Sequence, residues 1–120
     1  MQTMSFNDAM AAHIVWKLRL TRFIDGVGDE VFDSAAVARD DLCDLGKWIY
    51  GEGSKYRTMP AYEGLMNKHA EFHRHAAEVL RIMQDGDKQG AMRIMKGPFE
   101  AASRGIISAM VDVRRQASSE

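Results

Sequence analysis

Apolar positions recur along this chain every three to four residues, and no stretch alternates in the manner of a half-buried strand. The first stripe runs Phe6, Met10, His13, Trp16, Leu20 and Phe23. It predicts a helix that opens near Ser5, where Ser5 and Asp8 have capping-box spacing, and stops at Gly26 and Gly28. A second segment, capped by Asp33 or Ser34, carries Leu42, Cys43, Leu45, Gly46, Trp48 and Ile49 and ends at Gly51 and Gly53. Met59-Pro60 starts a long third helix, because proline suits the first helical turn. That helix extends to about Gln84, with Tyr62, Leu65, Met66, His69, Phe72, His73, Ala76, Leu80 and Met83 facing the core.

Asp85-Gly86-Asp87 reads as a turn, with Asp87 capping the next segment. Lys96-Gly97-Pro98 should kink or break the last segment, since proline lacks the N–H donor and clashes with the preceding turn. The final stripe is Phe99, Ala102, Ser103, Ile106, Met110 and Val113, with a polar tail from Gln116 expected to fray. The pattern predicts an all-α fold, an antiparallel four-helix bundle with a kinked or broken last helix, as one domain over residues 1–120. Surface connections are expected at Val27 to Phe32 and at Gly53 to Thr58.

Composition narrows the function. Hydrophobic residues are 46% and charged residues 28%, which suits a soluble globular domain. The net charge is −1 with no basic block, so no nucleic-acid partner is expected. The longest uncharged stretch, Gly105 to Val111, is far too short to cross a bilayer, and no membrane contact is expected. No charged segment leading into an apolar run opens the chain, so no export signal is expected. A single cysteine suits a reducing cytoplasm, where metal binding or redox chemistry is its usual special role. The nine methionines fit flexible core or interface packing.

The chemistry concentrates in His13, Cys43, His69 and His73. His69 and His73 are four apart, so on a helix both rings leave one face about one turn apart. His13 and Cys43, each expected within its own helical segment, can complete a tetrahedron of the ligand types that Zn²⁺ prefers. Alone, each has an ordinary reading: a hydrogen-bonded core histidine, or a cysteine packed as a small hydrophobe. Together they are costly to bury. Three unpartnered imidazoles in a small core would each cost roughly 1–3 kcal/mol, and one metal ion would remove that cost. His75, two residues past His73, is expected on the opposite, solvated side. Gly46, one turn beyond Cys43, is expected to admit a partner helix beside the thiolate. Asp40, Asp41, Asp44 and Glu71 are candidates to accept a hydrogen bond from a ligating imidazole.

The segments H-I-V-W (His13 to Trp16), C-D-L-G-K-W-I (Cys43 to Ile49) and H-A-E-F-H (His69 to His73) resemble the chemoreceptor zinc-binding domain, the CZB family. The resemblance implies a helical bundle, usually a homodimer, with a zinc site built from His13, Cys43, His69 and His73. It also implies a cytoplasmic sensory role in chemotaxis or cyclic-di-GMP control, through a chemoreceptor or diguanylate cyclase output module. The signal would be zinc itself or oxidation of zinc-bound, redox-sensitive Cys43 by hypochlorous acid. Neither a receptor signalling hairpin nor a cyclase domain is expected within these 120 residues.

Four protein ligands would close the metal shell, whereas a catalytic zinc keeps a position open for water, so no enzyme is expected. The alternative is a structural zinc bundle serving dimerisation. A hydrolytic zinc site would need Cys43 to dissociate, and no general base stands out nearby. A haemerythrin-like di-iron site needs more ligands than this chain supplies. The second helix, short and flanked by glycines, is expected to be the element that moves when Cys43 is oxidised.

Overall fold

The computed structural model describes residues 5–27, 31–41 and 43–118. The fold is all-α, with no strand among the described residues. Helix α1 spans Phe6–Ile24, α2 Ser34–Val37, α3 Asp44–Tyr50, α4 Pro60–Gln84, α5 Lys88–Lys96 and α6 Pro98–Ser118. A 3-10 turn at Glu52–Tyr56 joins α3 to α4.

The ends of the helices are set by local chemistry. Ser5 and Asp8 form the reciprocal capping box, and Gly26 takes a left-handed φ of 74° just past the end of α1. Pro60 opens α4, as its fixed φ and missing donor favour. The Asp87 side chain accepts from the Gly90 N–H at 2.9 Å and caps α5. At Gly97 the helical path breaks, so the last segment becomes α5 and α6. Helix α6 continues to Ser118, beyond the expected fraying point at Gln116, and residues 119–120 lie outside the described residues.

The second predicted helix needs correction. It is two short helices, α2 and α3, separated by irregular chain at residues 38–41 and 43. Cys43 is therefore not inside a helix but is the N-cap of α3. Leu42, expected within that helix, and Gly28, expected to stop the first, lie outside the described residues. The expected Gly53 to Thr58 surface stretch is largely the 3-10 turn, with Gly53 buried so closely under the Trp48 ring that a Cβ would come within 2.8 Å of it.

Helices α4 and α6 form the main interface, running antiparallel with Phe72 against Phe99 and the Lys68 stem over Gly105. Phe72, Phe99, Leu65, Leu80, Ile106, Met110 and Val113 are fully buried there. Helix α1 lies antiparallel on α6 along a short polar ladder: Arg114 donates to Asn7 at 2.9 Å, His13 meets Ser103 at 3.0 Å, and Lys17 pairs with Glu100 at 2.6 Å. The Tyr62 hydroxyl donates to the Ile49 carbonyl at 2.6 Å and pins the end of α3 to the start of α4. The α2–α3 segment thus closes over one side of α4, at the level of His69 and His73.

Candidate metal centre

His69 and His73 are both buried, their rings 4.6 Å apart on the face of α4 that α2 covers. Cys43 meets them from the N-terminus of α3. Its Sγ lies 3.2 Å from His69 Nε2 and 3.3 Å from His73 Nε2, and the two Nε2 atoms are 3.0 Å apart. A tetrahedral zinc with Zn–N of about 2.0 Å and Zn–S of about 2.3 Å spaces its ligand atoms by roughly 3.3–3.6 Å. The observed triangle is within a few tenths of an ångström of that.

The hydrogen bonds fix which atoms face inward. His73 Nδ1 lies 2.9 Å from the Val37 carbonyl, which can only accept, so Nδ1–H donates and Nε2 carries the lone pair. The Gly46 N–H donates to Cys43 Sγ at 3.3 Å, leaving sulfur as the electron-rich partner. Two lone-pair atoms 3.3 Å apart in a buried site call for a proton or a cation between them. One imidazole of α4 is thereby oriented by backbone, while His69 Nδ1 is buried with no hydrogen-bond partner among the described residues.

The protonation preferences agree. Burial, then the proximity of His73 and His13, holds the His69 imidazole down to about 3. Burial also lowers His73, against the opposing influence of the Val37 hydrogen bond and Asp40. Both rings are therefore neutral and available as donors at ordinary pH. Burial pushes the Cys43 thiol up, only partly offset by the N–H groups of Gly46 and Leu45. A cation in contact with Sγ would reverse that, because a coordinating thiol is deprotonated outright. The donor set therefore fits zinc.

A protein-family model, the chemoreceptor zinc-binding domain, matches residues 13–80, more than half of the chain. The chain belongs to the chemoreceptor zinc-binding family. It is a zinc-binding domain of signal transduction, from a regulatory rather than a catalytic family. No curated protein and no solved structure matches it. The match begins at His13 and ends within α4, so α5 and α6 lie outside it.

Of the expected ligands, the structure brings together Cys43, His69 and His73, whose donor atoms all lie within 4.8 Å of one another. His13 is not in that group. It is buried, 4.6 Å from the Phe72 ring centroid, with Nε2 held 3.0 Å from Ser103 Oγ. Burial, then the nearby Lys17 charge, takes its imidazole down to about 4. Trp16 packs 5.0 Å from the His73 ring and 5.4 Å from Phe72, so His13 and the cluster share one aromatic wall.

None of the four candidate carboxylates is hydrogen-bonded to a ligand imidazole among the described residues. Asp40 accepts from the Tyr50 hydroxyl at 2.6 Å, Asp41 pairs with Arg39, and Glu71 pairs with Lys68; no bond from Asp44 to a ligand imidazole is seen. The Val37 carbonyl serves His73 instead. Gly46 does answer to a close approach, but of the chain's own backbone: a Cβ there would overlap the Asp40 carbonyl oxygen. No partner helix is involved. His75 is half-buried rather than fully solvated, with Nδ1 3.7 Å from Glu78, and stands apart from the cluster. A cavity of about 500 Å³ opens beside the site, its wall including Cys43, His73, His13, Trp16 and Phe32.

Proposed function

We propose that this chain is a cytoplasmic sensory domain of bacterial signal transduction that responds to zinc, or to oxidation of its zinc-bound cysteine. The proposed ligands are Cys43, His69, His73 and His13. The observation that carries this reading is the meeting of Cys43 Sγ with the Nε2 atoms of His69 and His73, all separated by 3.0–3.3 Å. No helix among the described residues is long and apolar enough to cross a membrane, which accords with that reading.

Bound zinc supplies a fixed positive charge that keeps Cys43 as thiolate. The rest falls to the chain. Helix α4 presents two rigid imidazoles, the Val37 carbonyl orients one of them, and the α3 N-terminus offers sulfur. Cys43 is half-buried and borders the cavity, which favours access by a small oxidant over a sealed structural site. Thiolate attack on the chlorine of hypochlorous acid breaks the Cl–O bond and expels hydroxide; hydroxide then displaces chloride from sulfur and leaves the sulfenic acid. A sulfenic acid is a poorer donor, so α3, which Cys43 caps, becomes free to move while α4 keeps its histidines. The oxidised form is expected to exchange amide hydrogens faster over 38–50 than the zinc form.

Homodimerisation belongs to the same reading. Ile14, Val15 and Leu18 are 44%, 55% and 57% exposed on one side of α1, an apolar strip suited to a second copy. The output is proposed to be a chemoreceptor or diguanylate cyclase module. The test is metal analysis of protein purified without added metal, beside Cys43→Ala and His69→Ala. Zinc bound by the wild type and weakened more than about 100-fold in both variants is expected, since losing merely a hydrogen-bond partner of a ligand costs about 10- to 100-fold. Zinc retained in both variants would remove the ligand assignment. Hypochlorous acid that leaves zinc in place would favour the structural bundle.

A further inference from the structure

We infer that Ser103 is a positioning residue of the metal site: its hydroxyl holds His13 on α6 and competes with the metal for His13 Nε2. The inference rests on the ligand set proposed above. His13 and Ser103 are 90 residues apart in sequence, 3% and 1% exposed, and meet at 3.0 Å. Whichever group donates, Nε2 is engaged. Metal coordination through that nitrogen needs its lone pair free and directed at the metal. The three donors that converge do so without His13, which stands one aromatic ring away across Phe72.

Release of the ring is cheap for Ser103. A helical serine can turn its hydroxyl to the carbonyl four residues back, here Phe99, so the buried oxygen need not be left unpaired. Release also alters the α1–α6 contact at its centre, between the Arg114–Asn7 and Lys17–Glu100 contacts. Metal loading is thereby transmitted to α6, a helix outside the family-matched segment. Ser103 sets how much of the binding energy is spent on that transfer.

The test is zinc affinity of the full chain by competition with a chromophoric chelator, for wild type, Ser103→Ala, His13→Ala and the double variant. Removing one buried hydrogen bond that competes with the metal should tighten zinc roughly 3- to 10-fold in Ser103→Ala. That gain should vanish in the His13→Ala background, which a general effect of Ser103 on packing would not do. Ser103→Ala binding zinc equally or more weakly overturns the competition. So does a gain that persists without His13. Imidazole ¹⁵N spectra of the wild type need no variant: zinc should shift His13 Nε2, and coordination through Nδ1 instead overturns the inference. The two readings fail differently. If His69→Ala leaves zinc unaffected, the ligand assignment falls and this inference with it. If His69→Ala abolishes zinc while Ser103→Ala does not tighten it, only this inference falls.

Discussion

The two walls of the metal centre are built differently. Helix α4 is one continuous helix of 25 residues, and its histidines four apart gain their geometry from the helical repeat. The opposing wall, 33–50, consists of two helices of 4 and 7 residues around an irregular link. Helices that short have little stability of their own and depend on what they pack against. On the proposed reading, the continuous wall fixes where a metal sits and the broken one supplies the donor that is released. A site assembled from a rigid pair and an adaptable third donor suits reversible occupancy better than one carried wholly on long helices.

Four measurements probe that contrast. The largest effect is expected from Phe72→Ala, because Phe72 touches His13 and Trp16 of α1, His73 of α4 and Phe99 of α6, and so seats the continuous wall in the core. A loss of about 3–5 kcal/mol in urea unfolding is expected. A loss below about 1 kcal/mol would mean that the α4 wall does not rest on this ring.

Acid comes next. The His13 imidazole, at about 4 when folded against an ordinary 6.5, must be neutral to stay buried. The unfolded chain therefore binds more protons between these values, and stability falls as pH drops. For zinc-depleted protein the contribution of His13 is complete above about 6.5 and declines by on the order of 3 kcal/mol as pH falls to about 4. His69 extends the decline to about 3. Chemical denaturation between pH 7 and 4 measures this, and a flat profile would contradict burial of these rings as neutral groups.

Gly46→Ala acts on the adaptable wall alone. Its methyl would displace the Asp40 carbonyl, at a cost of about 1–3 kcal/mol. Zinc affinity should fall while hydrogen exchange within α4 and α6 is unchanged; slower exchange over 38–50 would refute the close-packing account. Asp87→Ala is the control on the far side of the bundle. Losing its cap should cost about 1 kcal/mol in thermal unfolding and leave zinc affinity intact.

The same contrast decided what could be read from the sequence. Helix α4 was legible to the residue, since Pro60 marks its start and Asp85-Gly86-Asp87 its end. The buried stripe of α6 was equally plain, from Phe99 to Val113. The break between α2 and α3 was not, because residues 35–43 contain no proline or glycine to announce it. At that break Gly46 seats against the Asp40 backbone, a short-range contact; the glycine signals a close approach but not what approaches. Cys43 was legible as a donor, but its place as an N-cap depends on that break. An acceptor for a ligand imidazole was expected, with four carboxylates as candidates; the Val37 carbonyl has no sequence signal, since every residue carries one. Ser103 was placed on the buried face, but its pairing with His13 emerges only when α1 and α6 are brought together.

The Val37 contact has an implication for how such a site can drift. Substitution changes side chains, and no substitution at position 37 deletes its carbonyl oxygen. The tautomer of His73 is thus shielded from single-residue change, as long as α2 keeps its place. Variation between descendants of this chain would then accumulate where a side chain bears the contact, at the edges of the site, altering its sensitivity without dismantling it.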